Sequence, residues 1–212
     1  MKLYGYFRSS AAYRVRIALN LKGLQADDEY IHLQKGVQTM PEYLSVNPQG
    51  LVPALVDDGN VILQSLAICE YLDEQHPEPP LLPSDALGRA RVRALAQAIA
   101  CEIHPLNNLR VLKYLTGELG LTEDVKNRWY QHWIAEGFRG LEGLLTDHPG
   151  TGKYCHGNTP GLADICLVPQ VFNARRFDCD LTPYPTVVRI ADSLNELPAF
   201  ADAAPEKQPD AA

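Results

Sequence analysis

An α/β half followed by an all-helical half is the fold class this chain predicts. Three features carry the prediction: strand-like and helix-like patterns alternate as far as Leu72, four prolines crowd residues 76–86, and only helical periodicity remains from Leu87 onward. Leu3-Tyr4-Gly5-Tyr6-Phe7 is uncharged and aromatic-rich, the composition of a short strand. Ser9 and Ser10 lead into Ala11, Val15, Ala18 and Leu19 at helical spacing, and Lys22-Gly23 supplies the C-terminal stop. The first N–H groups of a helix lack partners and carry partial positive charge. This corner, with Arg8 beside it, therefore has two readings: the serines merely cap and turn the chain, or they hold an anion such as a thiolate.

The segment Asp28 to Leu33 alternates as a second strand, and Pro41 to Val46 suits a short helix. A loop from Asn47 then enters two apolar runs joined by Asp57-Asp58-Gly59-Asn60, a hairpin. Pro53 at its mouth either begins a strand in the ordinary way or follows Val52 through a cis bond. Gln64-Ser65 opens a helix running through Ile68, Cys69, Tyr71 and Leu72. The prolines of 76–86 place the boundary there, giving domains over 1–80 and 87–212. Helices are expected from Arg89 to Leu115 with a break at Pro105, and from Thr122 to Leu145 and Leu162 to Phe177. Shorter ones are expected from Thr186 to Glu196 and Ala199 to Ala203. The polar tail, Pro205 to Ala212, is expected to be loosely held.

With 46% hydrophobic and 21% charged residues among 212, the composition is that of an ordinary globular protein. A net charge of −7 argues against nucleic acid as a partner, so any anion site has to be built locally. Five cysteines at irregular spacing, with no C-x-x-C, support neither a disulfide framework nor a metal site. Reduced thiols in a cytoplasmic protein are expected, as is the lack of an export signal or membrane span, because Met1-Lys2 leads straight into a strand.

A βαβ–ββα half, a proline-led hairpin, a proline-rich linker and a helical half resemble the soluble glutathione transferases. Within that family, Arg8-Ser9-Ser10-Ala11-Ala12-Tyr13-Arg14-Val15-Arg16-Ile17-Ala18-Leu19 is similar to the zeta-class signature R-S-S-C-x-x-R-V-R-I-A-L. The likeness continues through Asn47-Pro48, Val52-Pro53, Gln64-Ser65-Leu66-Ala67-Ile68, Leu167 to Val171, Arg176-Phe177, Leu181 to Pro185 and Gln208-Pro209-Asp210. Ala11 replaces the signature cysteine. Gly161 stands where many transferases cap a helix with Ser or Thr, leaving Asp164 or Thr159 to satisfy that helix start.

The resemblance implies a thioredoxin-like first domain, an all-helical second, and glutathione as cofactor. It places Ser9 and Ser10 at the sulfur, and Gln49, Val52, Pro53, Gln64, Ser65, His104 and Asn108 along the glutathione. It assigns Arg176 to a substrate carboxylate; Arg8, beside the serines, is a further cation, and Arg110 either lies on a solvated face or reaches the cleft, where three arginines would favour a substrate with two carboxylates. Lowering a thiol pKa of about 8.5 by one unit takes roughly 1.4 kcal/mol, within reach of two hydrogen bonds and a helix terminus. The implied reaction is cis–trans isomerisation: a thiolate adds to a double bond conjugated with a carbonyl, the bond rotates, and expulsion of the sulfur restores it as trans. Fixed cations are then needed for the charge that builds up beside the carboxylates.

His104, Asn107, Asn108 and Arg110 lie around the Pro105 break, where a kink facing the domain cleft would turn His104 and Asn108 inward. The implied substrate is maleylacetoacetate, with maleylpyruvate equally compatible. Conjugation or dehalogenation of small haloacids and a non-catalytic binding module are the alternatives. The family implies a homodimer. The other histidines lack metal spacing. Trp129 and Trp133 read as a packed helix face, and Arg89, Arg91 and Arg93 as exposure or subunit contact.

Overall fold

The computed structural model describes residues 1–211. Four strands, β1 (Lys2–Gly5), β2 (Asp27–Tyr30), β3 (Ala54–Asp57) and β4 (Asn60–Leu63), form one sheet in the order β2-β1-β3-β4. β1 and β2 run parallel because the helix α1 (Ser10–Lys22) carries the chain back between them, whereas β3 runs antiparallel to both β1 and β4. The β3–β4 turn is two residues long. Asp58 and Gly59 have φ of 46° and 80°, the left-handed pair that a tight hairpin demands. α3 (Ser65–Gln75) packs along α1, and the two bury Ala12, Val15, Ala18, Ile68 and Leu72. With α2 (Pro41–Leu44) between β2 and β3, the expected thioredoxin-like order is complete.

Both leading strands are shorter than their compositions predict. Tyr6 accepts from Ser9 N at 2.9 Å, so the chain is already turning where Tyr6-Phe7 was expected to extend. After β2, Ile31 bonds back to Gly5 at 2.8 Å and is buried, and short 3-10 turns at Leu33–Lys35 and Val37–Thr39 replace the rest of the expected strand.

Packing divides the described chain into two compact units, Met1–Leu81 with Glu196–Ala212, and Leu82–Asn195. The closing residues thus group with the sheet, where the sequence suggested the helical half. α9 (Pro198–Ala201) lies on α1, with Tyr13 donating to Phe200 O and Asn20 to Ala199 O. The tail is held rather than loose over its described residues. Arg16 donates to Ala203 O and Phe7 O, both at 3.0 Å, and Asp210 accepts the Phe7 N–H at 2.9 Å. Burial brings the Arg16 guanidinium down to about 10, against the opposing pull of Asp210. Ala212 lies outside the described residues. At the other end of α1, the Lys22 ammonium is fully enclosed and reaches Asp73 Oδ1 at 2.6 Å, His76 O at 2.7 Å and Pro79 O at 2.5 Å. These contacts fasten the start of the proline-rich stretch to the first unit.

The second unit is helical: α4 (Ala86–Gln97), α5 (Leu109–Gly117), α6 (Glu123–Leu145), α7 (Leu162–Arg176) and α8 (Pro185–Asn195). The predicted break at Pro105 is broader than a kink. A π-helical turn, Ala98–Ile103, and a 3-10 turn, His104–Asn107, separate α4 from α5, because Pro105 has no N–H and cannot continue the α ladder. The widened turn pushes Ile103 against Gly137 of α6, where the glycine leaves room for it.

Gly161 begins α7 without a side-chain cap, and Asp164 does that work. Its carboxylate accepts Gly161 N at 2.8 Å and Cys155 N at 2.9 Å, fully buried. Glu142 of α6 caps α8 by accepting Thr186 N at 2.9 Å and Val187 N at 3.0 Å. Arg91 corrects a sequence expectation, because it is neither simply exposed nor free for a partner. It donates to Cys155 O at 2.6 Å and Thr151 Oγ1 at 2.8 Å, binding the 151–157 loop to α4.

Candidate active site

The register of the sheet gathers the first unit's candidates. Tyr4 pairs with Ala54, and Ala54 pairs with Leu63. Just beyond that row, β1 leads toward Ser9, Pro53 enters β3, and β4 passes into Gln64-Ser65. Three segments far apart in sequence therefore leave the sheet at one end.

Ser9 is the N-cap of α1, and its Oγ accepts the Ala12 N–H at 3.2 Å. The capping reading of this residue holds, and it does not exclude the other. A hydroxyl that accepts from an amide keeps its own proton to donate, so capping leaves Ser9 able to stabilise an anion. Ser10 follows as a buried residue of the first turn. Arg8 is tied back to its own strand end, donating to the Tyr6 hydroxyl at 3.1 Å with its guanidinium 4.9 Å from the Phe7 ring centroid.

The Val52–Pro53 bond is cis, one of the two geometries left open by the sequence. Among the described residues, no backbone hydrogen bond engages the Val52 N–H or C=O. The loop before it is braced from below: Tyr43 OH donates to Leu51 O at 2.6 Å and Asn47 Nδ2 to the same oxygen at 2.7 Å. Burial pushes the Tyr43 hydroxyl up to about 12, so it stays a donor at any working pH. Val52 packs with Tyr6, Ile31 and Tyr43 in a small core beneath this end of the sheet.

Gln64 has φ 71° and ψ 121°, a conformation that side-chain-bearing residues rarely adopt, and its Nε2 donates to Gln49 Oε1 at 2.9 Å. It thereby turns away from the helix it precedes, and α3 starts with no side-chain cap. Ser65 is its first residue, and its Oγ receives a bond at 3.2 Å from Arg14 Nη1; Arg14 is only 2% exposed.

In the second unit, His104 Nε2 and Asn108 Nδ2 lie 3.5 Å apart, and Asn108 Oδ1 accepts the Arg110 N–H at 3.1 Å as the N-cap of α5. Arg110 is exposed. Arg176, on the last turn of α7, lies 4.8 Å from the Phe177 ring centroid, and Phe177 stacks on Tyr130 at 3.7 Å. Tyr130 O accepts Asn107 Nδ2 at 3.3 Å, so packed groups connect Arg176 to the Pro105 turn. Arg175 is exposed and pairs with Asp192 at 2.7 Å, as its position predicts for a solvent-facing residue. Trp129 donates to Leu106 O at 2.9 Å, and its ring meets Trp133 edge to face on the α6 surface.

Sequence reasoning assigned no role to Arg14, Asn47 or Tyr43. Arg14 was detectable: it shares a helix stripe with Ser10 and Ala18, four residues away on either side, and both are buried. Asn47 and Tyr43 carried no such signal, because their partner is a loop carbonyl.

These groups suit an anionic, extended ligand. Ser9 offers a hydroxyl at a helix start, Val52 a free peptide edge, and Ser65 a second helix start. The profile of the glutathione S-transferase N-terminal domain matches residues 3–80. A probable maleylacetoacetate isomerase of Vibrio cholerae is 55% identical over 211 residues, 99% of this chain and 97% of that protein. A holo maleylpyruvate isomerase, described as a bacterial zeta-class glutathione S-transferase, superposes with a TM-score of 0.98 at 50% identity, covering 100% of both chains. A maleylacetoacetate isomerase from Methylobacterium extorquens AM1, solved with malonate and glutathione bound, gives 0.97 at 43% identity over 100% of both. The chain belongs to the glutathione transferase family, in the zeta class that includes maleylacetoacetate and maleylpyruvate isomerases.

Proposed function

We propose that this chain is a glutathione-dependent isomerase that converts maleylacetoacetate to fumarylacetoacetate. The observation that carries the reading is the common origin of Ser9, Val52-Pro53 and Gln64-Ser65 from the Tyr4–Ala54–Leu63 row of the sheet. Glutathione has a γ-glutamyl carboxylate, a cysteinyl peptide unit and a thiol, and the three segments offer groups matched to each. When bound, it supplies the thiolate that adds to the substrate double bond and leaves again.

The roles of the chain's own residues follow. Ser9, with Ser10 and the α1 terminus, favours the ionised sulfur over the neutral one. Val52 meets the cysteinyl peptide next to Pro53, while Ser65, Gln64 and Gln49 meet the γ-glutamyl end. Residues 1–80 form the glutathione-binding domain, which the closing segment from Glu196 joins, and the helices within 87–195 form the substrate-binding one. In the latter, His104 and Asn108 complete the glutathione contacts. Arg110 and Arg176, together with Arg8, hold the two carboxylates and the carbonyl oxygen on which charge gathers. The malonate and glutathione bound together in the Methylobacterium relative support pairing a dicarboxylate with this cofactor. The five free thiols suit a reducing cytoplasm, and the family's habit is the homodimer.

Maleylpyruvate is the second reading for the substrate, favoured by the relative of TM-score 0.98 that bears its name. Purified protein is mixed with each cis diacid, with and without glutathione, and formation of the trans product is followed. Glutathione-dependent turnover of maleylacetoacetate is expected. Turnover without glutathione removes the mechanism, and a preference for maleylpyruvate replaces the substrate. Replacing Arg110 or Arg176 by Ala should raise KM for the diacid about 10-fold or more, the weight of a charge-assisted contact.

A further inference from the structure

We propose that Arg14 is a positioning residue for the carboxylate end of glutathione, fixing the direction in which the Ser65 hydroxyl points its proton. The proposal rests on the glutathione reading above. Arg14 and Ser65 are both buried, and their hydrogen bond spans 3.2 Å between α1 and α3. A guanidinium has donors and no acceptor, so Ser65 Oγ must be the acceptor in this pair. The hydroxyl proton is then free to point elsewhere. Ser65 is the first residue of α3, where no carbonyl of a preceding helical turn exists to take that proton. Nor does the preceding residue fill the helix start, because the Gln64 side chain is bonded to Gln49. What remains is a hydroxyl donor beside the first amide groups of α3, a donor set suited to one anion.

Charge adds to this arrangement. The guanidinium sits behind a helix start that is itself partly positive. An apolar side chain of similar volume joins two helices with much less desolvation but cannot donate to the Ser65 oxygen, so the arginine at this place supplies a fixed donor geometry. The carboxylate that meets these requirements is the one on the γ-glutamyl residue.

The test compares two ligands by calorimetric titration: glutathione, and the analogue in which 4-aminobutyrate replaces the γ-glutamyl residue and only the carboxylate is missing. Wild type should prefer glutathione on the order of 10²-fold, as for a charged group with several hydrogen bonds. In Arg14→Gln that preference should fall to about 10-fold or less, while affinity for the analogue stays within about 2-fold. If Arg14→Gln does not fold, Arg14→Lys carries the test: it keeps the charge without the planar fork, and an intermediate preference is expected. An unchanged preference in a folded variant, or equal loss for both ligands, overturns the proposal, since packing damage cannot select for one carboxylate. Wild type that binds neither ligand, or both alike, instead removes the glutathione reading itself.

Discussion

The Ser9 hydroxyl accepts the Ala12 amide at 3.2 Å, so the cap of α1 and the proposed thiolate donor are the same oxygen. Ser9→Ala should therefore damage stability and rate together: about 1 kcal/mol from the lost cap and about 10²-fold in kcat from the lost donor. Ser9→Asp separates the two. It caps as well as serine but sets a negative charge against the sulfur, so stability should hold while activity disappears. Activity retained in Ser9→Asp would sink the assignment.

Lys22 is an enclosed cation of the first unit, held by Asp73 and two carbonyls where the C-terminal ends of α1 and α3 meet the proline-rich stretch. Lys22→Met removes one partner and leaves the half-buried Asp73 carboxylate, which still accepts the Leu81 N–H, without its cation and beside two carbonyls that lose their donor. Urea denaturation should show a loss of about 3–5 kcal/mol, the usual result of breaking a buried pair from one side. A loss under about 1 kcal/mol would mean that solvent reaches the site.

Asp164 should give stability an unusual pH dependence. Burial raises its carboxyl to about 6, against the lowering pull of the Cys155 and Gly161 amides. In the unfolded chain an aspartate titrates near 3.9. Between these values the folded state holds the proton that the unfolded state has lost. This contribution is thus complete below about pH 4, declines as pH rises, and is gone above about pH 6, a span of up to about 3 kcal/mol. Denaturant titrations of wild type and Asp164→Asn across pH 4–7 should show the wild type losing ground to the variant as pH rises. A difference that is flat or of opposite slope would count against a raised carboxyl.

Gly137 is a helix-interior glycine, a position where alanine normally stabilises by about 1 kcal/mol. Here an added methyl group would run into Ile103 of the π-helical turn. Gly137→Ala should instead destabilise by about 1–3 kcal/mol, and Ile103→Val in the same chain should recover part of it. A higher melting temperature for the single variant would show that the turn yields easily.

Much of this molecule is written in short-range pattern. The hairpin at Asp58-Gly59, the stop at Lys22-Gly23, the serine starts of α1 and α3 and the carboxylate of Asp164 at the start of α7 all depend on residues within one turn of each other. Their physics is local, so the order of strands and helices and the likeness to zeta-class transferases could be read directly. The candidates of the first unit, Ser9, Val52 and Ser65, came from the same motifs.

Tertiary structure alone decided how those motifs are joined. The row Tyr4–Ala54–Leu63 brings three distant segments to one end of the sheet, Asp210 returns to the Phe7 amide, and Arg14 lies hidden under Ser65. The widening of the chain before Pro105, set by Ile103 meeting Gly137, belongs to the same group. Periodicity and capping tell a segment what shape to take and which face to bury. They do not name the distant group it will meet, because that choice depends on packing and hydrogen bonding across the whole folded unit.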